Sequence, residues 1–203
     1  MQGSHLPIIN AETLACRRGD RLLFSGLDLA VAPREAVHVT GANGAGKTTL
    51  IRTLAGLAEP FAGTVRISGR SGLLDHRAAL DPEAPLGQAL GFWFGLDGVA
   101  GGSQIVERLR LAALMEVPVR FLSTGQTKRA AFARLVGQRA DAWLLDEPLA
   151  GLDAASQSLV NDLIAEHCAN GGAALIASHH PLAIHGLREI AIGDFAHPEE
   201  FAQ

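Results

Sequence analysis

The sequence predicts an α/β fold: a mostly parallel sheet with helices on both faces and a helical sub-domain inserted into it. Three observations point there. Short apolar runs alternate with longer stretches of helical periodicity. A glycine-rich turn joins one such run to a helix. Residues 83–140 then hold few strand-like runs and several helical ones.

Taken in order, residues 36–40 (Ala-Val-His-Val-Thr) form a β-rich run that ends at a glycine. Over residues 48–58, Leu50, Ile51, Leu54 and Leu57 recur at helical spacing and predict a helix. Residues 65–68 and 73–74 read as short strands. The helical sub-domain follows, set at about 76–140, with the core at about 6–75 and 141–195 of a single domain spanning 1–203. Residues 142–145 are an apolar run ending in two acids. Residues 154–170 carry Leu159, Leu163, Ile164 and His167 on one helical face, and Gly171-Gly172 stops that helix. Residues 173–177 and 188–192 read as further strands. There is no internal repeat, coiled-coil heptad or low-complexity segment.

Composition narrows the function. Of 203 residues, 48% are hydrophobic and 19% charged, enough apolar material for a packed core. A net charge of −4 and the lack of a basic tract argue against a nucleic-acid partner. Two cysteines, Cys16 and Cys168, fit a reduced compartment better than a disulfide framework. No run of 18 apolar residues is present, so the expected membrane relationship is docking rather than spanning. Residues 1–5 are assigned no role in the fold.

Gly41-Ala42-Asn43-Gly44-Ala45-Gly46-Lys47-Thr48 matches G-x-x-x-x-G-K-[ST] between a strand and a helix, and Thr49 follows it. Such a loop turns several backbone N–H groups toward one anion at a positive helix end. Lys47 is suited to the β and γ phosphates, and Thr48 to Mg²⁺. Asp146 and Glu147 end an apolar strand, where ligands bind in open α/β sheets. Asp146 is then suited to Mg²⁺, and Glu147 to polarising a water.

Leu122-Ser123-Thr124-Gly125-Gln126, just upstream of Asp146, resembles the signature motif of ABC (ATP-binding cassette) ATPases. Ala150-Gly-Leu-Asp153 resembles that family's dimer-interface loop, and Ser178-His179 its switch histidine. The resemblance covers roughly residues 8–193. It implies a P-loop NTPase (RecA-like) core with an N-terminal antiparallel β sub-domain and an inserted helical one. It also implies ATP and Mg²⁺, with Glu147, His179 and Lys47 as catalytic groups. Ser123, Thr124, Gly125 and Gln126 then act in trans, on ATP held by a second ATPase subunit, which makes a homodimer the expected assembly.

Two positions depart from the family pattern. The region expected to stack on adenine, Cys16-Arg17-Arg18-Gly19-Asp20, has no aromatic residue, leaving Arg17 or Arg18 for that role or no stacking at all. The usual glutamine after residues 73–74 is replaced within Asp75-His76-Arg77, by His76 or Arg77. A narrower resemblance, carried by Phe24-Ser-Gly-Leu27, the Asp75-His76 turn, Leu90-Gly-Phe92-Trp93 and Ser178-His-His-Pro181-Leu182, is to the ATP-binding subunits of bacterial cytochrome c maturation haem exporters. It implies integral membrane partners, a place on the cytoplasmic face of the inner membrane, and no haem bound by this chain. Phe92, Trp93 and Phe94 are expected either in a groove for a membrane subunit or in the sub-domain core. The alternatives are an ABC ATPase for another substrate, one acting on nucleic acid or ribosomes, and a non-hydrolysing sensor, which the intact Lys47, Asp146, Glu147 and His179 oppose.

Overall fold

The computed structural model describes residues 6–196; the reading of residues 1–5 lies outside them. The chain begins with strands β1 (Ile9–Arg18) and β2 (Arg21–Val31), followed by β3 (Ala36–Thr40) and helix α1 (Lys47–Leu54). Strands β4 (Ala62–Ile67) and β5 (Ser71–Leu74) lead into the helical region of α2 (Leu86–Leu96), α3 (Gly102–Arg108) and α4 (Thr124–Gly137). The last part runs β6 (Ala142–Asp146), α5 (Ala154–Ala169), β7 (Ala173–Ala177) and β8 (Arg188–Ala191).

Two sheets result. β1 pairs antiparallel with β2 on one side and β4 on the other. The larger sheet has the order β5-β6-β7-β3-β8, and every pairing in it is parallel. Its central strands are largely apolar because both faces are covered, with His38 of β3 a buried exception. Along β6, Ala142 and Leu144 enter the core shared with the antiparallel sheet and α1, while Trp143 and Leu145 enter the core under α4 and α5. β7 alternates likewise, with Leu175 on the first side and Ile176 on the second. Each such buried leucine or isoleucine contributes roughly 1.5–3 kcal/mol.

Several expectations shift in detail. The helix expected over 48–58 ends at Leu54, where Gly56 N–H donates to Thr53 and Leu57 N–H to Arg52, closing the last turn. Leu57 is left 54% exposed, so it never belonged to the buried stripe. The strand expected at 65–68 begins earlier, at Ala62. On α5 the buried face centres on Val160, Leu163, Ile164 and Cys168, with Leu159 and His167 at its margins. Of the three aromatics on α2, Trp93 and Phe94 pack inward. Trp93 Nε1 donates to the Ala79 carbonyl at 2.8 Å, and the Arg134 guanidinium lies 4.5 Å above its ring. Phe92 is 65% exposed, with Leu96 and Phe121 similarly open.

Candidate functional site

β3, β7 and β6 are adjacent and parallel, so their carboxyl ends open on the same edge of the sheet. The loop 41–46 leaves β3, Glu147 follows β6, and Ser178-His179 follows β7. Topology thus gathers three segments lying far apart in sequence, at the sheet edge where α/β folds bind ligands.

The loop needs its glycines. Gly41 has φ 144°, and a Cβ there would meet the Ile192 side chain at 2.8 Å. Gly46, the residue before α1, has φ 110°, and its Cβ would meet the Phe24 ring at 2.9 Å. Both positions combine a backbone state open to glycine with a close wall. No side chain caps α1, so its first N–H groups are free to face an anion. Lys47 is buried and donates from Nζ to the Gly41 and Ala42 carbonyls at 2.6 and 3.1 Å. An ammonium has three donors, so one remains for a ligand.

A cavity of about 350 Å³ lies over this loop, lined by Asn43, Gly44, Gly46, Lys47, Thr48 and Thr49 together with Arg18, Leu23, Glu147 and His179. Arg18 therefore reaches the cavity. Arg17 is instead placed over the Phe61 ring, 5.2 Å from its centroid. Gly41, Ala42 and Ala45 shape the loop without lining this cavity.

Burial pushes the Asp146 carboxyl above the usual range, against a hydrogen bond from the Thr48 hydroxyl; Glu147 and Asp75 add to the rise and His76 opposes it. A carboxylate and a hydroxyl in contact fit a hard dication such as Mg²⁺. Glu147 Oε2 lies 2.8 Å from His179 Nδ1 and accepts from the Ser178 hydroxyl at 3.4 Å. That arrangement aims a carboxylate and an imidazole at the same space.

Asp75 also belongs to this neighbourhood, although the sequence argument passed over it. β5 and β6 pair in register at Leu74 and Leu145, which sets Asp75 beside Asp146. Asp75 is mostly buried, 3.6 Å from Arg52, and accepts the Arg77 N–H. Of His76 and Arg77, His76 is the one whose charge bears on Asp146. The parallel register was the signal that could have found this pairing. Lys128 was missed as well. Its Nζ donates to the Glu147 carbonyl at 2.5 Å, and burial lowers its pKa against the pull of Glu147 and Asp146.

The signature segment lies elsewhere. Ser123 caps α4 through a reciprocal box: its hydroxyl accepts the Gln126 N–H at 3.3 Å, and Gln126 Oε1 accepts the Ser123 N–H at 2.8 Å. Ser123 and Thr124 are exposed, and neither they nor Gly125 and Gln126 line the cavity over Lys47. Thr124 instead borders a separate space with Asp75, His76, Lys128, Ala150 and Gly151. Asp153 caps α5, its carboxylate accepting the Ser156 N–H at 2.7 Å.

A phosphate loop after β3 and an acid pair after β6, on parallel strands separated by β7, beside a separately capped signature helix, define a P-loop ATPase of the cassette type. The sequence family described as ABC transporter matches residues 24–150. The chain is 52% identical over 185 residues to the "Cytochrome c biogenesis ATP-binding export protein CcmA" of Novosphingobium aromaticivorans, covering 91% of this chain and 95% of that one. It is 47% identical over 191 residues to the protein of the same description from Sphingopyxis alaskensis, covering 93% and 98%. The solved structure of an ATP-binding subunit of an ABC transporter superposes with a TM-score of 0.77 at 20% identity, over 85% of this chain and 79% of that one, a likeness of fold. The chain belongs to the ABC transporter family, within the group of CcmA-type cytochrome c biogenesis ATP-binding export proteins. It is thus an ATP-binding subunit and an ATPase of that family, whose ATP-binding subunits work with membrane subunits. Among the described residues no helix is long and apolar enough to cross a membrane.

Proposed function

We propose that this chain binds ATP with Mg²⁺ in the cavity at the ends of β3, β6 and β7, and hydrolyses it to energise a transporter of cytochrome c biogenesis. One observation carries the reading: Lys47, Thr48, Glu147 and His179 line one space there, with Asp146 bonded to Thr48 behind it. In this account the N–H groups of residues 41–49 cradle the phosphates, and Lys47 neutralises the β and γ groups. Thr48 and Asp146 would hold Mg²⁺, which would supply positive charge to offset that of the phosphates. Glu147 polarises the attacking water, His179 contacts the γ-phosphate, and Arg18 lies against the base.

The chain is one ABC ATPase domain, with its core at about 6–75 and 141–195 and its helical sub-domain at about 76–140. Ser123, Thr124, Gly125 and Gln126 close on ATP held by a second copy, giving a homodimer with Asp153 at its interface. The exposure of Ser123 and Thr124, away from the cavity of their own subunit, supports this. The dimer docks on integral membrane subunits at the cytoplasmic face of the inner membrane. The relatives named for cytochrome c biogenesis and export favour haem as the group handled by those subunits. This chain itself binds neither haem nor nucleic acid.

The test is Glu147→Gln in the full chain. ATP affinity is expected to stay within about twofold, while hydrolysis falls by about 100-fold or more. Turnover at the wild-type rate refutes the assignment. Purification of the native protein without any membrane subunit refutes the transporter reading.

A further inference from the structure

Glu147 is held in an unusual backbone state, and its fixings come from several parts of the fold. Its φ is 49°, a left-handed conformation that a residue with a Cβ occupies only when its surroundings hold it there. Its N–H donates to the carbonyl of Ala177, the last residue of β7, at 2.8 Å. Its carboxylate is engaged by His179 and Ser178 beyond that strand. Its carbonyl accepts the Ala150 N–H at 3.3 Å and, more closely, the Lys128 ammonium at 2.5 Å.

Lys128 comes from the other side of the site. It lies on α4, one turn beyond Thr124, and does not line the cavity over Lys47. A half-buried ammonium is costly unless its donors are used and counter-charge is near. Here the Glu147 carbonyl takes the donor, and the carboxylates of Asp146 and Glu147 supply the charge. α4 begins at the Ser123–Gln126 box, so one helix carries the exposed signature segment at its tip and a grip on Glu147 one turn below.

We propose that Lys128 is a positioning residue for hydrolysis: its ammonium pins the Glu147 backbone, and through α4 it ties that carboxylate to the signature segment of the same chain. This rests on the reading of Glu147 as the water-polarising group. Lys128 acts through Glu147 and touches neither phosphate nor base. A shift of the helix tip as a partner's nucleotide closes on it would reach the carboxylate through the Lys128 contact.

The test compares Lys128→Met, which keeps the stem without the donor, with Lys128→Arg, which returns a cationic donor. Hydrolysis and ATP binding are measured on the full chain. Lys128→Met is expected to lower kcat about 10- to 100-fold, the scale of a small misplacement of a reacting group. KM and Kd for ATP stay within about twofold, and Lys128→Arg recovers most of kcat. The proposal is overturned if Lys128→Met keeps the wild-type kcat, loses ATP binding along with turnover, or is impaired no more than Lys128→Arg. If Lys128→Met does not fold, Lys128→Leu, which also lacks a donor, carries the same comparison, and a wild-type kcat there overturns the proposal equally. Glu147→Gln is run beside them. Full activity in that variant defeats the reading of Glu147; an inactive Glu147→Gln with a fully active Lys128→Met defeats only the role of Lys128.

Discussion

Gly46→Ala tests the phosphate loop at its tightest point. Two costs arise together. The residue stands at φ 110°, where a Cβ strains the backbone by about 1–3 kcal/mol. That Cβ would also lie 2.9 Å from Phe24 Cδ1 and 3.2 Å from Leu23 Cβ, inside a packed core where overpacking costs about 1–3 kcal/mol. Phe24 is fully buried and so has little room to yield. The sum is roughly 2–6 kcal/mol, which for a domain of this size lowers Tm on the order of 10 °C. Far-UV circular dichroism melts measure it, with a fluorescent ATP analogue reporting binding. Adding Phe24→Leu separates the two costs. It deletes ring atoms facing position 46 and should recover part of the packing loss, measured against Phe24→Leu alone, but none of the backbone strain. A Gly46→Ala protein that melts within about 1 °C of wild type and binds ATP equally would refute the reasoning.

Other outcomes follow from single contacts. Ser123→Ala removes half of the capping box, so stability should drop by about 1 kcal/mol in a chemical denaturation experiment, with ATP binding unchanged and hydrolysis reduced. Arg18→Ala should weaken ATP binding several-fold while Arg17→Ala leaves it alone, because only Arg18 reaches the cavity; equal effects in calorimetric titration contradict that placement. His167 stacks on Trp143 at 4.1 Å, and burial holds its pKa below the ordinary 6.5. The unfolded chain therefore binds the proton more tightly, and this group's share of stability is lost as pH falls from neutral through 6.5 toward the lowered folded value. Melts of His167→Phe should show a shallower loss between pH 7 and pH 5 than wild type, and parallel curves would count against this.

The phosphate loop was legible because its chemistry is local: spacing, glycines and flanking periodicity all lie within residues 36–58. The strands at 142–146 and 173–177 were legible because burial on both faces leaves continuous apolar runs. The hairpin β1–β2 was hidden from a residue-pattern reading. Its register shifts between Ala11 and Leu14 and again near Cys16, with Thr13 at φ 47°, so the two-residue alternation breaks. The end of α1 was misplaced because Leu57 kept the helical spacing after the helix had closed at Leu54. Asp75 and Lys128 were missed for a different reason. Their meaning lies in partners 71 and 19 positions away, reached through strand register and helix packing.

Gly125 on α4 and Gly151 in the loop before α5 are 26 positions apart, yet a Cβ on Gly125 would meet the Gly151 carbonyl at 3.2 Å, and one on Gly151 would meet Thr124 Cγ2 at 3.1 Å. Glycine at both positions lets the two strips of backbone lie close together, so that they form one rim. A bulky side chain at 125 or 151 would act as a wedge, prising apart two strips that a docking surface must meet as a single edge.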